Sequence, residues 1–130
     1  MPNGFDEQKL IAAAREVRQH SYSPYSAFAV GAALLCDDGT IVTGTNVENA
    51  SYGLTICAEQ AAVAAAVAQG HRKFVAIAVA GPPQVVPPCG ACRQVLAEFS
   101  PSITILYGTG DGRHENASLT DLLPVQFELP

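Results

Sequence analysis

Apolar residues recur at helical spacing from Asp6 to about Gln19: Leu10, Ile11, Ala14 and Val17 share one face, and Asp6 stands where an N-cap belongs. Pro24, within Ser21–Ser26, cannot continue a helix and ends the pattern. Ala27–Cys36 and Thr40–Val47 then read as two strands, with Asp38-Gly39 between them as a hairpin signal. Asn46–Thr55 is polar and loop-like. Cys57–Gln69 is rich in Ala and predicts a helix that Gly70 stops at the C′ position.

Phe74–Ala80 is a short continuous apolar run, the pattern of a buried strand. Gly81–Pro88 holds four of the nine prolines and reads as a loop. Gly90–Phe99 predicts a helix and Ile103–Tyr107 a strand. Gly110-Asp111-Gly112 turns the chain toward a last strand near Arg113–Ser118, and Ser118 or Thr120 caps a short helix through Leu123 before Pro124. The order α-β-β-α-β-α-β-β-α suits one sheet with helices on its faces. With no internal repeat or linker, residues 1–130 read as a single domain.

Composition narrows the function classes. A chain of 130 residues, 48% hydrophobic and 15% charged, can bury a real core. Its apolar, Ala-rich surplus also suits burial of surface against copies of itself. The net charge is −5 and only 7 Lys and Arg are present, which disfavours a polynucleotide partner. Met1–Phe5 has no basic region leading into an apolar run, and no stretch approaches the ~20 apolar residues of a membrane span. The expectation is a soluble, cytoplasmic protein, where four Cys suggest metal or catalytic work before disulfides.

The chemistry concentrates in Cys57-Ala58-Glu59 and Pro88-Cys89-Gly90-Ala91-Cys92, each at a predicted helix start. One helical turn places the sulfurs of Cys89 and Cys92 on one side. Unpaired N–H groups at helix starts favour thiolates. Cys57 can bring a third sulfur. Three thiolates hold Zn²⁺ and leave one tetrahedral position for water, the catalytic pattern. Glu59, not needed as a ligand, is then placed to move protons. Taken singly, each piece has a blander explanation: Cys-x-x-Cys is often structural or redox-active, and Glu at a helix start commonly answers the dipole. Together the two segments point to catalysis, the pattern of zinc nucleobase deaminases. Cys36, in an apolar run, reads as a buried free thiol. His20, His71 and His114 stand outside the motifs and read as surface or capping residues.

At these residues the chain resembles the cytidine deaminases, specifically the small homotetrameric type. The resemblance is carried by Tyr22–Ser26, Phe28–Leu34, Asn46–Tyr52, Cys57–Glu59, Pro88–Val95 and Leu122–Pro124, spread over nearly the whole chain. It implies an α/β fold, a three-layer α/β/α sandwich with a mixed five-stranded sheet. It implies one Zn²⁺ per subunit on Cys57, Cys89 and Cys92, with a zinc-activated hydroxide attacking C4 of the pyrimidine while Glu59 shuttles protons. The products are uridine or deoxyuridine and ammonia, a step of pyrimidine salvage. By the same resemblance Phe28 packs on the base, Asn46 and Glu48 bind the ribose hydroxyls, and the Ala58 N–H recognises the pyrimidine carbonyl. Tyr52 and Phe127 would act across subunit boundaries of a homotetramer.

One position departs from the pattern. Three-Cys members usually carry Arg directly after the catalytic Glu, and this chain has Gln60. Three thiolates on Zn²⁺ leave a net charge of −1, which an Arg hydrogen-bonded to sulfur offsets and Gln60 does not. Arg93 matches the second such Arg. The rival readings are a blasticidin S deaminase, a deaminase of RNA or DNA, and a non-catalytic zinc-stabilised module. Phe28 and Asn46–Tyr52 favour the nucleoside, and the acidic balance opposes a polynucleotide.

Overall fold

A computed structural model describes residues 4–82, 87–108 and 113–130. Its elements are α1 (Glu7–Val17), β1 (Gly31–Cys36), β2 (Ile41–Thr45), α2 (Ala58–Ala68), β3 (Phe74–Ala80), α3 (Gly90–Phe99), β4 (Thr104–Gly108), β5 (His114–Ser118) and α4 (Leu119–Leu122). Short 3-10 turns occupy Arg18–His20 and Tyr52–Leu54. This is the element order that the hydrophobic pattern predicts. The expected turn at Gly110–Gly112 and part of the Gly81–Pro88 loop lie outside the described residues.

The strands form one sheet in the order β2-β1-β3-β4-β5. Only β3 and β4 run parallel, and α3 is the crossover between them; the other pairs are antiparallel. Alternation along β1 and β3 divides the core in two. Leu34, Cys36, Ile77 and Val79 pack with Ala62 and Val63 of α2 and Leu96 of α3. Ala33, Leu35, Ala76 and Ala78 face the opposite way, onto Leu10, Ile11 and Ala14 of α1. The sheet is therefore covered on both sides, giving the three layers expected of an α/β/α sandwich.

Local chemistry sets the boundaries. The Asp6 carboxylate accepts the Lys9 N–H at 3.1 Å and starts α1. Gly70, at φ +97°, ends α2 in the left-handed conformation glycine adopts freely. β1 begins at Gly31 and not at the expected Ala27, because Ala27 is itself left-handed, at φ +58°. Residues 28–30 are tied instead by a side chain: Asn46 donates to the Phe28 carbonyl at 2.8 Å and accepts the Val30 N–H at 2.9 Å. β2 is likewise shorter than expected, and Val47 beyond it pairs singly with Tyr22 and Ile56.

Gly44 of β2 sets how closely α2 approaches the sheet. A Cβ there would lie 2.5 Å from the Ala62 nitrogen and 2.8 Å from the Ala58 carbonyl oxygen. The first turns of α2 thus rest directly on β2, at a distance only glycine allows. Among the described residues no helix is long and apolar enough to cross a membrane.

Candidate active site

α2 and α3 both open on cysteine. Cys57 is the N-cap of α2 and Cys89 the N-cap of α3, and neither cap is closed by its own side chain. Cys57 and Cys89 therefore each stand at a helix start, where positive potential favours thiolate. Cys92 lies one turn into α3 and is buried, Cys57 is half-buried, and Cys89 is exposed. Their three sulfurs lie within 4.8 Å of one another, with Cys89 and Cys92 3.4 Å apart. Tetrahedral zinc with Zn–S bonds of about 2.3 Å needs sulfurs about 3.8 Å apart, so this donor set fits the ion with little adjustment. Cys36 is no part of the cluster; it is buried in the core, and burial pushes its thiol up.

The electrostatics of the cluster follow from crowding. Hydrogen bonds from Cys92 and then Cys89 pull the Cys57 thiol down to about 6, against the effect of burial. Cys92 is pushed up, first as the donor to Cys57, then by burial and by the nearby Glu59 carboxylate. A bound cation would displace these protons, since only thiolates ligate.

Glu59, in the first turn of α2, is only 5% exposed. Burial raises its carboxyl to about 7, opposed by its own backbone N–H and reinforced by the charge of Cys57. Cys92 lowers it by a smaller effect, since the carboxyl lies near the sulfur cluster. Such a group exchanges its proton near neutral pH, as a general acid–base catalyst must.

Gln60 donates its side-chain amide to the Cys92 sulfur at 3.7 Å. Arg93, expected on the sulfurs, is directed elsewhere: its guanidinium donates to the Pro88 carbonyl and to the Leu122 carbonyl, each at 2.8 Å. Among the described residues the one charge-neutral amide of Gln60 is the side-chain nitrogen that reaches a sulfur.

Of the other expected residues, Ala58 opens α2 and the rest lie outside the strands and α-helices. Phe28 is partly buried against the core that α2 and α3 share. Asn46 is held by Phe28, Val30 and the Ser21 hydroxyl. Glu48 accepts the N–H groups of Tyr25 and Ser26 at 2.9 and 3.1 Å and the Ser26 hydroxyl, contacts that hold its carboxyl below the usual range. Ala58, the first residue of α2, is buried. Tyr52 is 76% exposed and meets Tyr25 edge to face, with ring centroids 6.1 Å apart. Phe127 is 69% exposed in the C-terminal segment, where its carbonyl accepts from Gln94 at 3.2 Å. Ser21 and Ser26 were not expected as site residues. Their one signal was position within the Ser21–Ser26 stretch, since a serine's partner across a loop leaves no pattern in sequence.

The model of the cytidine and deoxycytidylate deaminase zinc-binding region matches residues 5–108. The cytidine deaminase of Halalkalibacterium halodurans is 51% identical over 94% of this chain and 94% of its own length. That of Sporosarcina psychrophila is 48% identical over 94% of this chain and 91% of its own. A crystal structure of a cytidine deaminase from Burkholderia pseudomallei superposes with a TM-score of 0.91 at 46% identity, covering 95% of this chain and 100% of that one.

Proposed function

The chain belongs to the cytidine and deoxycytidylate deaminase family, and from that premise we propose that it hydrolyses cytidine and deoxycytidine to uridine and deoxyuridine with release of ammonia. The observation that carries the reading is the cluster of Cys57, Cys89 and Cys92 with the buried Glu59 beside it. The three thiolates would hold one zinc ion per subunit. Zinc, when bound, supplies Lewis acidity that makes water a nucleophile at neutral pH.

The chain's own residues do the rest. The Glu59 carboxylate takes a proton from the attacking water and delivers it to N3 of the ring. It then takes the proton of the new C4 hydroxyl and carries it to the amine; the C4–N bond breaks as the C4 carbonyl forms, so that water and cytidine become uridine and ammonia. Burial serves this role, because a carboxyl near pH 7 neither holds nor refuses its proton strongly. Phe28 packs on the pyrimidine, and the Ala58 N–H, at the open start of α2, binds its carbonyl oxygen. Asn46 and Glu48, already oriented by their loop contacts, bind the ribose hydroxyls. Gln60 tempers the thiolates, and Arg93 supports the turn that carries Cys89.

Exposed Tyr52 and Phe127 fit a homotetramer in which each subunit completes its neighbour's site, with the single domain of residues 1–130 as the repeating unit. The acidic balance supports a free nucleoside and no polynucleotide. Pyrimidine salvage in the cytoplasm is the corresponding place of work. The test is purified, zinc-loaded protein with cytidine, deoxycytidine and blasticidin S, followed by loss of substrate absorbance. Turnover of the two nucleosides, slowed about 10²–10⁴-fold by Glu59→Gln with zinc retained, is the expected result. A zinc-loaded chain that deaminates none of the three would overturn it, and one that turns over only blasticidin S would reassign the substrate.

A further inference from the structure

Arg93 does more than support the turn that carries Cys89. Its backbone N–H donates to the Cys89 carbonyl at 3.0 Å, and its Nε donates to the Pro88 carbonyl at 2.8 Å. Both acceptors belong to the turn that delivers Cys89 to the sulfur cluster. The other arm of the guanidinium leaves α3 and donates to the Leu122 carbonyl, at the end of α4. A helix end leaves such carbonyls without internal partners. Gln94, the next residue, donates to the Phe127 carbonyl at 3.2 Å, and Gln126 returns a bond to the Pro101 carbonyl at 3.0 Å. The last segment of the chain is thus strapped along α3, and the strap nearest the cysteines is the arginine.

We propose that Arg93 is a positioning residue that braces the Cys89 turn against the C-terminal segment, so that order in residues 119–130 and retention of the metal are coupled. The planar guanidinium has its donors at fixed angles, so both bonds persist only while the two carbonyls keep one relative placement. Displacement of α4 must then loosen the Cys89 turn. By the reciprocity of coupled equilibria, emptying the metal site must loosen the segment. Leu119, wholly buried at the start of α4, anchors the far side of the brace. The coupling rests on zinc being held by the three cysteines, as proposed for the active site.

The experiment is hydrogen exchange by mass spectrometry on the full chain, zinc-loaded and zinc-stripped, together with zinc release into a chromogenic chelator. In the wild type, stripping zinc should speed exchange in residues 119–130 by about tenfold, the scale on which outer partners act on a metal site. Arg93→Gln should release zinc about tenfold faster and exchange quickly in residues 119–130 whether zinc is present or not. Arg93→Lys, which can keep one of the two bonds, should fall between. A merely structural arginine would instead change exchange throughout the chain, equally with and without zinc. Exchange in residues 119–130 that ignores zinc in the wild type overturns the coupling, and this comparison needs no variant to fold. A chain that binds no zinc at all overturns the metal reading first, and is told apart by its metal content.

Discussion

Replacing Gln60 by arginine tests how the charge of the metal centre is balanced. The Gln60 amide reaches the Cys92 sulfur at 3.7 Å, so a guanidinium there brings a full positive charge to about the same distance. Two unit charges about 4 Å apart attract by ~4 kcal/mol at an effective dielectric constant of ~20. Gln60 is half-buried, and partial dehydration of the guanidinium costs a few kcal/mol of that gain. A net stabilisation of about 1.4 kcal/mol remains, equivalent to tenfold slower zinc release by the free-energy scale. Gln60→Leu works in the other direction. A hydrogen bond to a charged group contributes about 1.5–3 kcal/mol, and a 3.7 Å contact with a diffuse sulfur lies below that range, near 1 kcal/mol. Zinc should then leave about fivefold faster. First-order release into a chromogenic chelator, with zinc content and turnover measured on the same samples, reads both effects. Equal release and equal turnover in all three proteins would refute the reasoning, as would a leucine variant that holds zinc longer than the arginine variant.

In the metal-free protein, Cys57 should react with iodoacetamide at a rate that rises through about pH 6, well below an ordinary thiol, because only the thiolate attacks and the neighbouring thiols hold this sulfur deprotonated; peptide mapping across a pH series reads it. A rate that rises only near pH 9 would remove the hydrogen-bonded cluster as its cause. Gly44→Ala should destabilise the fold by about 1–3 kcal/mol, since the new methyl meets the backbone of α2 and not a side chain that can turn away. Denaturant unfolding gives that number, and turnover should fall by more than the loss of folded protein, because Glu59 rides on the displaced turn.

Much of this was legible in the chain, for reasons that differ from element to element. Phe74–Ala80 and Gly90–Phe99 form at their expected limits, because a buried apolar run and a helix opened by a cysteine turn are both local signals. The start of β1 was not legible: a left-handed Ala27 and the two bonds of Asn46 decide it, and Asn46 is supplied by a later strand end. The meeting of the three sulfurs followed from two helix starts, each readable by itself. The placement of Arg93 did not follow. Its sequence position beside Cys92 suggested a sulfur partner, while the actual acceptors are carbonyls, which every residue carries and no pattern marks.

The origin of the sulfurs has a consequence for how the molecule assembles. Cys57 lies before α2, and Cys89 and Cys92 come only after β3 and the proline-rich connection, so closing the site requires the α2–β3–α3 passage to be already in place. Contacts so distant in sequence form late, after loop-closure entropy has been met by the sheet itself. A metal here cannot nucleate the fold in the way that a closely spaced pair of ligand turns nucleates a zinc finger. A bound ion is expected to act after the folding barrier, giving a slower unfolding rate with the folding rate nearly untouched, which chevron kinetics with and without zinc would check. A bound ion would lock a structure that the sheet and its two apolar faces have already built.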